Sequence, residues 1–467
     1  MFKKFMLGVS TLSLMFAACT DPDDSSEIPM FPGMEKISDK SEAELYENYM
    51  MLDLFYLYAH TRNELSDNYK VYLHKGSNDN NGEKSFCSEE LYDVCYMYDQ
   101  MADPFTHYFD PLIAERILES VLETEEVIGI GAEAQVIQDE TSKYLSVTQI
   151  YPNSPSEKAG LQEGDIIVSM DGLPITTVEN FESMSTGNIG STVEIVVKRG
   201  TEILSFTVTR AEYKEPSVTL HYEDSIPVIQ IKQFSTTTSN DSGTYAEFVE
   251  ILKKTATAKS TIIDLRGNPG GETEHCNAVS AELLSKGDTV IIDIESKVDS
   301  VKEGRQWKYY QSFDTITYTA LEDGLAKDRY FVLLADTGSA SCAEIVLEST
   351  AANKKSPIVG QLSYGKGIGQ AVIQTEVSGG LALITALQGF DKNWESYHDL
   401  GIVPDFIIND PDEQMAAAVT LAKEATYLRT AGYGTQKLNH FSKERFKDPS
   451  NKIPTAKDLK LRYKMTR

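Results

Sequence analysis

Between residues 40 and 63, the apolar positions of KSEAELYENYMMLDLFYLYAHTRN recur at helical spacing, which predicts an amphipathic helix. A polar loop, KGSNDNNGEKS (75–85), precedes a second helical stretch near 89–101, and two prolines in MADPFTHYFDP (101–111) break the pattern. These segments form a mostly helical N-terminal domain over 36–125. At Glu126 the period changes to two, and glycine marks the turns: VIGIGAEAQVI, YLSVTQIY, DIIVSMDG, TVEIVVKRG and ILSFTVTR read as short strands. Helix starts at SPSEKAG and near VENFESM interrupt them, which defines a compact β-rich unit over 126–215. After Pro216, strands (PVIQIKQF, STIIDLRG, TVIIDI, FVLLA, SPIVGQ, QAVIQTE) alternate with helices (TYAEFVEILKKTA, CNAVSAELLSK, CAEIVLESTAAN). That alternation predicts an α/β core over 216–410. Residues 411–467 hold a further helix (412–430) and a basic tail.

Composition narrows the partners. The chain of 467 residues carries 43 basic and 71 acidic side chains, a formal net charge of −28, which opposes nucleic-acid binding. Lys3 and Lys4 precede the short apolar run FMLGVSTLSLMF and then AAC. A run this short reads as a secretory signal, since a spanning helix needs about 20 apolar residues. A cysteine after Ala17-Ala18 resembles a bacterial lipobox, with residues 1–19 as signal and Cys19 as the lipidated first residue of the mature chain. The acidic stretch TDPDDSSE within 20–35 reads as a solvated linker. The expected location is therefore the bacterial cell envelope, lipid-anchored to the outer membrane. Cys87 and Cys95 lie eight apart, a spacing open to a local disulfide in an oxidising compartment. No CxxC or HExxH occurs, and no metal or other cofactor is expected.

Three stretches carry candidate chemistry. GSASCAEI (338–345) follows the apolar run FVLLA (331–335) and sets Ser339, Ser341 and Cys342 at a strand-to-helix turn. Ser341 falls at a helix N-terminus, where free N–H groups favour negative charge, and the N–H of Cys342 can share an oxyanion. Ser339 is better placed as a small structural residue, and Glu344 as a hydrogen-bond acceptor. SYGKGIGQ (363–370) holds Lys366 between glycines and Gln370 at the start of a strand. A lysine serves as a base when burial lowers its pKa, and Gln370 can accept a bond from the amine without adding charge. IIDLRGNPGGE (262–272) ends a strand in a glycine turn able to aim N–H groups into a cleft. No GK[ST] follows, so a nucleotide is not indicated. The rival pair is Cys342 as nucleophile with His275 as base, which leaves Lys366 and Gln370 without a role.

In this order, DLRGNPGG, GSASCAEI and GKGIGQ resemble the C-terminal processing peptidases, or tail-specific proteases. The likeness extends to ADPFTHYFDP upstream and GIVPDFII (401–408) downstream. It implies a crotonase-like α/β core and a serine endopeptidase with a Ser–Lys dyad: Ser341 as nucleophile, Lys366 as base, Gln370 orienting the lysine, and Gly270 and Cys342 donating to the oxyanion. This sequence departs from the family's elbow at Cys342-Ala343, where the family has Ala-Ser. GIGA (129–132) and NSPSEKAGLQEGDIIVSMDG (153–172) resemble a PDZ domain, which implies capture of free C-termini of protein or peptide substrates by the N–H groups of Ile130, Gly131 and Ala132. A non-catalytic binder and a PDZ scaffold are the alternatives on the same fold.

Overall fold

The computed structural model describes residues 31–59, 64–76, 87–114, 126–138, 143–239, 242–303, 306–354 and 356–430. Cys19, the acidic linker's TDPDDSSE and the basic tail lie outside the described residues. The N-terminal domain contains α1 (Lys40–Phe55) and α2 (Tyr92–Asp99). Asp39 opens α1 by accepting the N–H of Glu42 at 2.9 Å, as an N-cap should. The predicted helix to residue 63 stops at Phe55 because tertiary bonds claim the backbone beyond it. The Leu57 N–H donates to the Thr385 carbonyl at 2.8 Å, and the Tyr56 carbonyl accepts from Gln311 at 2.9 Å. Strand β1 (His107–Phe109) leads out of this domain.

The β-rich unit runs β2 (Glu126–Gly129), β3 (Ala132–Gln138), β4 (Lys143–Ile150), α3 (Pro155–Ala159), β5 (Ile166–Met170), β6 (Leu173–Pro174), α4 (Val178–Ser185), β7 (Thr192–Arg199), β8 (Glu202–Thr209) and β9 (Ala211–Lys214). Its main sheet has the order β3-β4-β5-β7-β8, with β6 on β5, and β2 pairs separately with β9. Sequence reading made VIGIGAEAQVI one strand. It is two, broken at Gly131, whose φ of +71° and whose approach to Ser154 leave no space for a Cβ. Ile130, Leu145, Met170, Phe181, Val193 and Ile195 fill this unit's own core.

The core continues with β10 (Val218–Glu223), β11 (Ile226–Ile231), α5 (Gly243–Lys254), β12 (Ser260–Asp264), α6 (Thr273–Leu283), β13 (Thr289–Glu303), β14 (Gln306–Thr319), β15 (Tyr330–Ala335), α7 (Cys342–Lys354), β16 (Ile358–Gly360), β17 (Ile368–Gln374), β18 (Leu381–Phe390), β19 (Phe406–Ile407) and α8 (Pro411–Thr430). One sheet runs β10-β11-β12-β15-β16-β19, parallel from β11 onward. Every residue of β15 is buried because both faces are covered, as parallel sheets require. Phe331 and Leu333 pack toward α5, α6 and α7, while Val332 and Leu334 meet Ala418 and Ala422 of α8.

The second sheet is built around β18, which pairs with β1, β13 and β17, with β14 outside β13. The sequence pattern predicts neither β14 nor β18, and ends β13 at Ile294, nine residues before its end at Glu303. Residues 296–319 mix charged and apolar side chains without a strict alternation, and Gly304 is the single glycine among them. They form a two-stranded hairpin whose sides meet solvent and the N-terminal domain. Tyr309 and Phe313 pack against the N-terminal domain's apolar cluster, of which Leu45 and Phe55 are members.

Candidate active site

β15 ends at Ala335, and six residues later Ser341 stands immediately before α7 with φ +53°. A non-glycine residue held in the left-handed region costs of order 1–3 kcal/mol and persists where its surroundings dictate it. Those surroundings are explicit. The Ser341 N–H donates to Glu344 Oε2 at 2.9 Å, and the Ala340 N–H donates to the Asn268 carbonyl at 2.9 Å. Ser339 is fully buried and donates to the Leu265 carbonyl at 2.8 Å, the structural part expected of it.

Glu344 ties the elbow to the lysine loop. Its Oε1 accepts from Ser363 Oγ at 2.6 Å and the Gly365 N–H at 2.7 Å, and Oε2 accepts the Lys366 N–H at 2.7 Å. Burial pushes this carboxyl above its usual range, while the hydrogen bonds hold it down. Ser341 and Lys366 thereby line one cavity of ≈ 350 Å³, together with Gly270, Gly271 and Gln370. Burial lowers the Lys366 pKa, with Asp103 and Glu344 opposing. The ammonium nitrogen sits 5.2 Å from the centre of the Phe105 ring. Asp103 and Phe105 are contributions that sequence reading missed as single residues, although it quoted their segment, ADPFTHYFDP. They come from the N-terminal domain, so no spacing within the core could have placed them.

Two expectations change. The Gly270 N–H is taken by Asn268 Oδ1 at 2.8 Å, so it does not point at an oxyanion. Gly270 has another part: at φ +106°, a Cβ there would lie 2.7 Å from that of Ser341. The N–H of the neighbouring Gly271 is oriented differently. Phe234 bridges Gly271 through the Gly270 carbonyl and the Glu272 N–H, which turns the N–H of Gly271 itself to the opposite side. Among the described residues, neither that N–H nor the Cys342 N–H at the first position of α7 has an acceptor. Gln370 lines the cavity without bonding Lys366, and its Nε2 is buried without a partner.

Cys342 is joined to Cys276 of α6, and Cys87 to Cys95. The first bond removes the thiol that the rival mechanism needs. His275 accepts the Tyr245 N–H through Nδ1 at 3.2 Å, and burial lowers its pKa. In the β-rich unit, β3 is an edge strand with α4 packed beside it. Ile130 is buried, and its carbonyl accepts the Ser156 N–H at 2.8 Å. Burial pushes the Tyr213 hydroxyl up to about 12, with the backbone of Gly131 opposing. Ala132 pairs with Ile150, flanked by the bond from the Tyr151 N–H to the Gly131 carbonyl, so its own N–H faces the open edge.

The model of peptidase family S41 matches residues 225–408, and the PDZ domain model matches residues 128–209. A protein of Staphylococcus haemolyticus named "Probable CtpA-like serine protease" is 26% identical over 329 residues, 70% of this chain and 61% of that protein. This chain thus spans about six tenths of that relative's length. The carboxy-terminal-processing protease of Bartonella bacilliformis is 26% identical over 313 residues, 66% of this chain and 67% of that one. Among solved structures, the photosystem II D1 C-terminal processing protease is 18% identical with a TM-score of 0.44, covering 80% of this chain and 94% of that chain. The peptidase family S41 model thus lies on the sheet, elbow and lysine loop described above, and the PDZ domain model on the unit before them.

Proposed function

We propose that this chain is a serine endopeptidase that acts outside the cytoplasm on protein tails. The observation that carries the reading is Ser341, held at positive φ ahead of α7 and sharing a cavity with a lysine that burial makes easier to deprotonate. In this reading neutral Lys366 takes the Ser341 Oγ proton as Oγ attacks the peptide carbonyl. The carbonyl oxygen turns toward the N–H groups of Gly271 and Cys342, where developing charge meets fixed donors. The proton passes from Lys366 to the leaving amine, and a water molecule then releases the acyl group. No hydrogen bond joins the side chains of Ser341 and Lys366; such contacts tighten when substrate arrives.

The PDZ domain supports capture of a substrate's C-terminus along the open edge of β3. Two disulfides support an oxidising compartment, consistent with Cys19 as a lipid anchor at the outer membrane. The test is cleavage of casein, with labelling by a serine-reactive fluorophosphonate, by the native chain and its Ser341→Ala, Lys366→Ala and Lys366→Arg variants. We expect all three to lose cleavage by roughly 10³-fold or more. Arginine stays protonated and cannot act as base, so full activity in Lys366→Arg would overturn the dyad.

A further inference from the structure

Beside Ser341 the cavity is not uniformly apolar. Its walls include Ile291, Ile345 and Leu387, but Asp293, Asn277 and Gln370 also line it. Each of these three presents a buried polar atom with no hydrogen-bond partner: Asp293 Oδ1, Asn277 Oδ1 and Gln370 Nε2. Asp293 is only 6% exposed. Native proteins seldom leave buried polar atoms unpaired, because each unmade bond costs about 1–3 kcal/mol. Three orphans around one cavity therefore point to a ligand that completes them.

From this we propose that the cavity is a specificity pocket for a basic side chain, lysine or arginine, flanking the scissile bond of the substrate. The proposal rests on the reading of Ser341 as nucleophile. Asp293 would receive the cationic head group and Asn277 Oδ1 one further N–H. Gln370 can contribute its carbonyl oxygen by turning its amide over, since the two ends are nearly alike in shape. Ile291, Ile345 and Leu387 suit the methylene stem, because long basic side chains lay apolar stems along apolar walls.

The surrounding charge agrees. Glu272 lines the same cavity, and Glu274 and Glu295 border the adjoining space that shares Asp293, Asn277 and Gln370. Burial, followed by the charge of Glu295, pushes Asp293 up to about 8. An arriving cation would restore it to a carboxylate. The backbone leaves room for this: Asp293 of β13 faces Gly389 of β18, where an added Cβ would come within 2.7 Å of Ile291 and 3.4 Å of Asp293 Oδ1. A small apolar residue in the pocket would leave all three polar atoms unpaired.

The test maps cleavage sites in reduced, unfolded casein by mass spectrometry, using the full native chain and Asp293→Asn. Lysine or arginine should flank the cleaved bonds at least about fivefold more often than their abundance in the substrate predicts. In Asp293→Asn that enrichment should fall toward one. Native cleavage sites without enrichment in basic residues overturn the proposal, and so does an Asp293→Asn protein with undiminished enrichment. A second arm measures binding of matched lysine and leucine peptides to the uncleaving Ser341→Ala chain by fluorescence anisotropy, with an expected preference of tenfold or more for lysine. Cleavage that survives Ser341→Ala would defeat the catalytic reading alone. Equal binding of the two peptides would defeat the pocket alone.

Discussion

At the scale of single residues, the site depends on what surrounds a few charged groups. Phe105 helps to keep water from Lys366, and burial is the main cause of its lowered pKa. Cleavage should therefore rise with pH as the lysine loses its proton. In Phe105→Ala, with the amine more hydrated, the rise should move to higher pH in a profile of kcat/KM. Glu344 answers four donors. Glu344→Gln leaves the amide end facing donors it cannot accept from, and we expect about 1–3 kcal/mol of lost stability in urea unfolding, with kcat falling more than KM rises. Asp293 has the opposite dependence from an ion-paired carboxylate. Its folded pKa of about 8 lies above the ordinary aspartate value of 3.8, so the folded chain holds a proton that the unfolded chain releases between those values. That contribution to stability is fully present below about pH 4 and declines as pH rises through 8, by up to about 1.4 kcal/mol per unit. Asp293→Asn should flatten this decline, and unfolding midpoints measured at pH 5 and pH 8 would show it.

At the scale of elements, the parallel sheet was the most legible part, because continuous apolar runs such as FVLLA announce strands covered on both faces. β18 was illegible for a related reason. LALITALQGF is as apolar as a helix of similar length and is rich in Leu and Ala rather than β-branched residues, so only Gly379-Gly380 before it separate the two. Ser341, Lys366 and Gly270 were legible as a spaced set, but the direction of the Gly270 N–H was not. It depends on Asn268, whose side chain spans the turn from the Gly270 N–H to the Ile231 carbonyl. The Cys276–Cys342 bond was equally hidden, since nothing in sequence sets α6 against α7. It closes a separation of 66 residues, for which the loop-entropy model gives about 4 kcal/mol of stabilisation. Adding dithiothreitol should lower the urea midpoint of the native chain, whereas a Cys276→Ala chain should show a lower midpoint from the start and a much smaller response. An unchanged midpoint in the native chain would mean that the helices hold together without the bond.

At the scale of the whole molecule, the proposed capture of a chain end needs the open edge of β3 and the cavity at Ser341 to work on one substrate. The PDZ domain touches the core through polar contacts: Lys232 lies 3.5 Å from Glu215 and 4.0 Å from Glu133, Lys254 lies 2.9 Å from Glu163, and the Leu220 N–H donates to Gln149 at 3.3 Å. Such exposed ion pairs contribute little individually, so they leave the domain free to present a bound tail rather than locking it in place. A chain end adding to β3 gains backbone bonds along the edge and an N–H cradle for its carboxylate. The Gly131 backbone acts on the Tyr213 hydroxyl and opposes the rise in its pKa, and an arriving carboxylate, as the stronger acceptor, would compete for the Gly131 N–H. Amidating the C-terminus of a peptide removes that charge while leaving every side chain in place. We expect the free acid to be cleaved at least about threefold faster than its amide, mainly through a lower KM, and we expect Tyr213→Phe to widen the gap by releasing the Gly131 N–H. Equal cleavage of acid and amide would mean that the domain does not read the chain end, and that the cavity at Ser341 selects substrates without it.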